Sequence, residues 1–209
     1  MKIWDLPTRL YHWLQALLFI GLMTGVGPHL YLGLALFTLI LWRIVWGFIG
    51  SDTSRFQQFL SSPARTIRYL RGKETSHAGH NPAGAWMVVA LISTILLQCI
   101  TGMTLVGLFD DLPYAELLLS DQLIEVFRTL HGLCARLLMG LVALHLVAIL
   151  VYKLRSKPLV MAMLTGKQKN SSADNTRPTL VFASNKRALF VFFATGLITV
   201  ALMTSAGML

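Results

Sequence analysis

Four of the six histidines in this 209-residue chain lie within long apolar stretches. They are His12, His29, His131 and His145. An ionisable side chain is costly inside a bilayer, so each of them is a candidate for a functional site. Taken singly, each could equally well hydrogen-bond a neighbouring helix. Their spacing therefore has to decide between these two interpretations.

The spacing sorts the four histidines into two pairs. His131 and His145 lie on one apolar segment. On an α-helix their separation gives about 21 Å of rise and a rotation within about 40° of four whole turns, so the two share one face at two depths. His12 lies at the depth of His145 and forms the inner pair with it. His29 opens its segment at the depth of His131, and these two form the outer pair.

Paired imidazoles at two depths predict haem rather than zinc. Haem iron accepts neutral imidazole as an axial ligand and the porphyrin edge is apolar, so two bis-histidine haems fit this arrangement. A structural zinc ion would need four converging ligands, whereas these histidines form pairs several turns apart. The chain has two cysteines and no CxxCH motif. Haem would therefore be held by coordination and packing, without thioether bonds.

Three other residues on the same segments could contact haem. Arg43 follows His29 at the same spacing that separates His131 from His145, and so lies on nearly the same face as His29, toward the inner pair. It could pair with a haem propionate, or it could extend its long stem to the membrane interface. Gly33 lies one turn after His29, and Gly140 lies about one turn before His145. Both glycines would let a flat macrocycle approach the backbone, although small residues also serve ordinary helix packing.

Membrane-spanning helices must position these residues. Hydrophobic residues make up 55% of the chain and charged residues 13%, and the mean hydropathy is +0.64, which is outside the range of ordinary soluble domains. A helix needs about 20 apolar residues to cross the hydrocarbon layer. The segments that qualify are about Leu6 to Val26, His29 to Ile49, Ala83 to Leu108, Val126 to Tyr152 and Ala188 to Leu209. The predicted fold class is all-α, a polytopic transmembrane helix bundle.

Charges between the spans predict the orientation. The formal net charge is +9, and basic residues collect in 50–82 and 153–187, whereas 110–125 is acidic. Because Lys and Arg collect in cytoplasmic loops, the N-terminus is predicted to be cytoplasmic. This distribution also argues against a nucleic-acid partner. Tryptophans near span ends are expected in interfacial aromatic belts; they are Trp4, Trp13, Trp42, Trp46 and Trp86.

Several runs of sequence resemble the bacterial cytochrome b561 family, which also contains the b-type subunits of nickel-iron hydrogenases. They are WDLPTRLYHW at 4–13, LWRIVWGFIG at 41–50, GHNPAGA at 79–85, LHGLCARLL at 130–138 and ALHLVAIL at 143–150. The resemblance covers residues 1–167 and implies a four-helix core that holds two non-covalent b haems in the bacterial inner membrane. It carries the axial iron ligands onto His12, His29, His131 and His145.

Two features fall outside this implied core. A polar cytoplasmic linker at 168–187 and an additional transmembrane helix at 188–209 depart from the family pattern. His80, in the GHNP motif, matches a family position. It could instead be a loop residue before a helix whose Asn81 and Pro82 supply the cap and the first turn.

The resemblance implies electron transfer through the lipid bilayer. The expected exchange is between the quinone pool and a periplasmic redox protein, such as a c-type cytochrome or a dehydrogenase. Iron with two histidine ligands has no open coordination position, which suits electron transfer better than substrate binding. Two alternatives stay open: a superoxide oxidase that reduces ubiquinone, and a haem-bearing membrane-anchor subunit of a hydrogenase or another periplasmic dehydrogenase. Superoxide would need positive charge near the outer haem, and the acidic loop argues mildly against it.

Overall fold

The computed structural model describes residues 1–73, 81–111, 113–115, 119–155, 158–168 and 180–208. Within these residues the chain is helical, apart from turns and one isolated bridge between Lys2 and Lys167. The helices are α1 Leu6–Thr24, α2 His29–Ile49, α3 Phe56–Phe59, α4 Pro63–Leu70, α5 Pro82–Leu105, α6 Asp121–Leu154, α7 Leu159–Thr165 and α8 Asn185–Ser205, with a 3₁₀ turn at Asp52–Ser54. The predicted all-α fold class is confirmed.

Side-chain caps set where the long helices begin. The Asp5 carboxylate accepts a hydrogen bond from the Thr8 amide at 2.8 Å at the start of α1, and the Asn81 side chain accepts one from the Gly84 amide at 2.7 Å at the start of α5. The Ser120 hydroxyl accepts from the third residue of α6. For this reason α6 starts at Asp121, ahead of the apolar stretch that predicted it. Caps satisfy amides that the helix itself leaves unpaired.

Four of the described helices are long and apolar enough to cross a membrane, namely α2, α5, α6 and α8. The protein is therefore a multi-pass membrane protein. The 19 residues of α1 fall short in hydropathy, because Arg9, His12 and Gln15 lie in its first half. Whether α1 crosses the membrane stays a prediction, as does the division of the chain into a core, a linker and an additional helix.

Helix α2 is at the centre of the bundle. It packs against α1, α5 and α8, and α5 packs in turn against α6. On the α8 side the Trp42 indole donates to the Ala188 carbonyl at 2.9 Å, and the hydroxyl oxygens of Thr38 and Thr199 are 2.7 Å apart. These contacts place α8 antiparallel to α2, and they anchor an element that the family resemblance did not include.

A buried carboxylate joins the N-terminus to the end of α2. Asp5 is 2% exposed and accepts hydrogen bonds from the Trp46 indole at 3.2 Å and from the Ser51 hydroxyl. The aromatic-belt interpretation is wrong for Trp46 and also for Trp42 and Trp4, which are buried. An indole N–H can be buried when it has a partner, and for Trp46 that partner is a residue 41 positions earlier in the chain.

The two ends of the bundle differ in charge. At one end the Met1 amino group donates to the Gln168 carbonyl at 3.0 Å, and the Val181 amide donates to the Asp52 carboxylate at 2.8 Å. The N-terminus, the end of α2, the helix after α6 and the start of α8 therefore meet there, and we call this the basic end. The turn from α1 into α2 and the acidic 106–111 segment lie at the other end, which we call the acidic end.

Candidate functional site

The structure brings the four helix-borne histidines together in two pairs. The ring centroids of His12, on α1, and His145, on α6, are 6.5 Å apart, with the ring planes inclined at 53°. The centroids of His29, on α2, and His131, on α6, are 6.3 Å apart, with an interplanar angle of 70°. The pairs are those expected from the spacing along the sequence, one toward each end of the bundle. The role of these histidines as axial ligands stays a prediction.

Both centroid separations equal the spacing of two imidazoles that bind one metal ion from opposite sides. In the structure itself, both ring nitrogens of His131 contact α5. A metal–imidazole bond is about 2.0 Å long and a ring nitrogen lies about 1.1 Å from the ring centre, so opposed ligands have centroids about 6.3 Å apart. Two imidazoles at neighbouring corners of a tetrahedral zinc ion would be only about 5.1 Å apart. Among the described residues no cluster of three or more His, Cys, Asp or Glu side chains could hold a metal ion. Paired neutral imidazoles are a donor set that haem iron accepts.

There is open space beside the two glycines that the sequence singled out. A Cβ atom added to Gly33 or Gly140 would meet no heavy atom within 4 Å. Gly140 is exposed and lies about 140° around α6 from His145, so its open side does not face the histidine pair. Gly33 lies within about 40° of His29 around α2, and the open space beside its backbone fits a macrocycle next to that histidine.

The inner pair has sparse polar surroundings. The His12 Nδ1 atom is buried and has no hydrogen-bond partner within the described part of the chain. Its ring contacts Trp13 edge-on, with the centroids 5.1 Å apart. This pair is therefore held mainly by packing.

Arg43 lies near the basic end and is 3% exposed. Its guanidinium lies over the rings of Phe56 at 5.2 Å and Phe59 at 6.0 Å. Snorkelling to the interface is therefore the wrong interpretation for Arg43, because the loop after α2 covers its head group. Its Nη1 atom is buried without a partner among the described residues, so pairing with a propionate stays a prediction.

The outer pair is surrounded by three residues of α5. The Thr101 hydroxyl oxygen is 3.0 Å from His131 Nδ1, and the Gln98 Nε2 atom is 3.0 Å from His131 Nε2. A Cβ atom added to Gly102 would lie 2.9 Å from the Cε1 atom of the same ring. Sequence analysis missed all three, because none of them is ionisable. The available signal was a glutamine within a span, followed at i+3 and i+4 by two small residues on the same face.

Some predicted features lie outside the described residues. These are His80, the first half of the GHNP motif and most of the predicted linker. The second half of the motif is described, and its Asn81 caps α5 as the sequence predicted.

A multi-pass helix bundle with paired histidines at two depths is typical of membrane b-type cytochromes, which hold their cofactor between facing helices. The chain matches the prokaryotic cytochrome b561 family over residues 3–166 and belongs to this family. It is therefore a membrane b-type cytochrome that acts in electron transfer. The match ends before α8. No curated protein and no solved structure matched the chain.

Proposed function

We propose that this protein carries electrons across the bacterial inner membrane, between the quinone pool and a periplasmic redox protein, through two non-covalent b haems. His12 and His145 hold one haem, and His29 and His131 hold the other. The observation that carries the proposal is the separation of 6.5 Å and 6.3 Å between the paired rings. When bound, the haems supply one-electron chemistry. With two imidazoles as ligands, each iron would have no open coordination position for a substrate.

The depth of the two pairs supports a path across the bilayer. The rise from His131 to His145 is about 21 Å along α6, whereas the hydrocarbon layer is about 30 Å thick. Two sites at these depths cover most of the layer, and neither site could do so alone.

Alternating helix directions support a cytoplasmic N-terminus and five crossings. Helix α1 starts beside the end of α2 and finishes beside the start of α2. It therefore runs the full length of α2, although α1 has the lower hydropathy of the two. Exposed apolar side chains line its outer face, as contact with lipid requires; they are Leu10, Leu14, Leu17 and Ile20. Basic loops at the end where α1 starts favour the cytoplasmic side for that end.

A reporter that is active only in the periplasm tests this topology. Fusion after Asp111 should be active, and fusion after Lys73 should be silent. Fusion after Leu209 should also be active, because α8 then carries the C-terminus across. Silence at Leu209 would contradict the fifth crossing and leave the four-helix core intact.

We place the quinone site at the basic end. Arg9 does not serve it, because its guanidinium donates to the carbonyls of Met163 and Leu164. A better candidate is the group formed by Tyr69 of α4 and Tyr152 of α6, whose hydroxyl oxygens are 2.8 Å apart. There the Asn81 side chain donates to the Tyr152 hydroxyl at 2.9 Å.

The two tyrosine hydroxyls suit a quinone contact. Burial, assisted by the hydrogen bond to Tyr152, raises the pKa of Tyr69 to about 12. That hydrogen bond raises the pKa because Tyr69 donates it, so the proton of the Tyr152 hydroxyl is the one left to donate to a quinone carbonyl. Tyr152 lies about two turns after His145 along the same face of α6, so the pair of tyrosine hydroxyls lies between the inner histidine pair and the basic end.

Haem content and vectorial transfer test the proposal. The purified full-length protein should contain about two haems per chain by the pyridine haemochrome assay, extractable with acid acetone. In liposomes with one orientation, a quinol analogue should reduce it, and ferricyanide on the periplasmic face should reoxidise it. His145→Ala should slow this transfer by orders of magnitude.

Two results would contradict the proposal. The first is a folded, colourless protein from haem-replete cells. The second is full-rate transfer from quinol to ferricyanide in a variant that lacks the inner haem, which would remove that haem from the path. Reduction by superoxide added on the periplasmic face, with ubiquinone as the acceptor, would instead favour the superoxide oxidase alternative.

A further inference from the structure

We propose that α5, which carries no histidine, controls the reduction potential of the outer haem through Thr101, a positioning residue that holds His131 in one tautomer and one orientation. This inference rests on the proposed role of His131 as an axial ligand. It goes beyond that role because it assigns a function to Thr101, which contacts the ring nitrogen of His131 that iron does not bind.

The hydrogen bonds of Thr101 determine the tautomer of His131. The Thr101 hydroxyl lies 2.9 Å from the Leu97 carbonyl and 3.0 Å from the Gln98 carbonyl of its own helix. A hydroxyl has one proton and two lone pairs, so its proton is directed to these carbonyls. The contact of 3.0 Å with His131 Nδ1 must then use a lone pair. His131 Nδ1 therefore carries the ring proton, and Nε2 keeps the lone pair that iron binds.

Two more residues of α5 contact the ring of His131. The backbone at Gly102 is so close that an added Cβ would be 2.9 Å from His131 Cε1. The Gln98 amide contacts the adjacent ring atom, Nε2. Gln98, Thr101 and Gly102 share one face of α5, since they are spaced at i, i+3 and i+4. Thr101 is fully buried, so water cannot replace its hydroxyl.

The contact with Gln98 must change when iron binds. The amide N–H of Gln98 and the iron use the same lone pair of His131 Nε2, so the amide gives up this contact in the haem-bound protein. The contact between Thr101 and Nδ1 uses the other ring nitrogen and is compatible with iron. Thr101 is therefore the neighbour that acts on the ligand while haem is bound.

The expected electronic effect has a definite sign. An imidazole that donates its second N–H to an acceptor becomes a more basic ligand. A more basic ligand stabilises ferric iron relative to ferrous iron and lowers the reduction potential. His12 Nδ1, in the inner pair, has no such acceptor among the described residues. Thr101 therefore lowers the potential of the outer haem selectively.

Thr101→Val tests this in the full-length protein, because valine keeps the shape and removes the acceptor. We expect one of the two haems to shift its ferric/ferrous equilibrium about tenfold toward ferrous, which is about 59 mV upward for a one-electron couple. The low-spin ferric EPR signal of the same haem should change as well. Thr101→Ser keeps an acceptor and should behave like the wild type.

Thr104→Val is the matched control. Thr104 is also buried and lies one turn further along α5, and its hydroxyl donates to the Ile100 carbonyl at 2.9 Å. This substitution removes an equivalent buried hydroxyl and should leave both potentials unchanged.

Two outcomes would overturn the inference: an unchanged potential in a Thr101→Val protein with both haems, or an equal shift in Thr104→Val. If the Thr101→Val protein loses haem, the haem content of Thr101→Ala and Thr101→Ser tests the inference instead. Loss of the outer haem alone in the alanine variant, with both retained in the serine variant, supports positioning; loss of both haems in the alanine variant contradicts it. A wild-type protein without an outer haem would contradict the proposed function itself.

Discussion

The inner and outer histidine pairs have nearly the same geometry and different surroundings. Their ring centroids are 6.5 Å and 6.3 Å apart. His131 nevertheless has polar partners on both ring nitrogens, whereas the Nδ1 atom of His12 has none within the described residues. Ligand separation is therefore set by the helices that carry the histidines. The hydrogen-bond partners of each histidine ring depend on the residues of the helix packed against it.

The register of α5 against α6 explains the difference. The contact between Thr101 and His131 and the contact between Asn81 and Tyr152 show that the two helices run antiparallel. Moving forward on α6 from His131 to His145 therefore corresponds to moving back on α5 by the same number of positions. The inner-level positions that correspond to Gln98, Thr101 and Gly102 are Gly84, Met87 and Val88. Gly84 and Val88 offer no side-chain acceptor, and the thioether of Met87 is only a weak one.

The strongest test removes one ligand at a time. His131→Ala should reduce haem content from about two per chain to about one by deleting the outer haem, since one histidine cannot hold bis-histidine iron. His145→Ala should delete the inner haem instead. Redox titration should show a different component missing in each variant. Gly196→Ala on α8, where the added carbon has no neighbour within 4 Å, should keep both haems.

The same variants could break the comparison. If His12→Ala and His131→Ala removed the same spectral component, the pairing across the helices would be wrong. The contrast between the surroundings of the inner and outer pairs would then not describe two separate haem sites.

A smaller effect is expected from crowding the ring of His131. Gly102→Ala adds a carbon 2.9 Å from His131 Cε1, so the ring must move by a few tenths of an ångström. The proposed assignment makes His131 a ligand of the outer haem only, so we expect about tenfold weaker retention of that haem, measured by competition with apomyoglobin. Equal weakening of both haems would show a general loss of packing rather than displacement of one ligand.

The spacing of the histidines could be predicted because a single straight element carries it. Helix α6 is continuous over 34 residues, so helix geometry alone fixes the relation between His131 and His145. The depth of His12 and His29 follows from where each lies in its own span. Helix ends were predictable within about five residues, and the errors fall where caps such as Ser120 extend a helix beyond its apolar stretch.

The surroundings of the ligands could not be predicted in this way. Thr101 acts on a residue 30 positions away, and Asp5 accepts from Trp46, 41 positions away. Both contacts depend on the register between helices, which the periodicity of either helix alone does not contain. A buried tryptophan and an interfacial one therefore look alike in the sequence, and so do a threonine that supports a ligand and one that faces a neighbouring helix.

The smallest expected effect also gives the sharpest test of the comparison, because it adds the missing contact to the inner pair. Met87 is the position on α5 that corresponds to Thr101. In Met87→Thr the hydroxyl should accept from the N–H of His145 and lower the potential of the inner haem, by less than tenfold in the ferric/ferrous equilibrium because the fit is not optimised. Met87→Val adds no acceptor and controls for the change in volume. Potentiometric titration should show the inner component moving downward in the threonine variant alone. If both variants moved it equally, packing rather than hydrogen bonding would distinguish the two pairs.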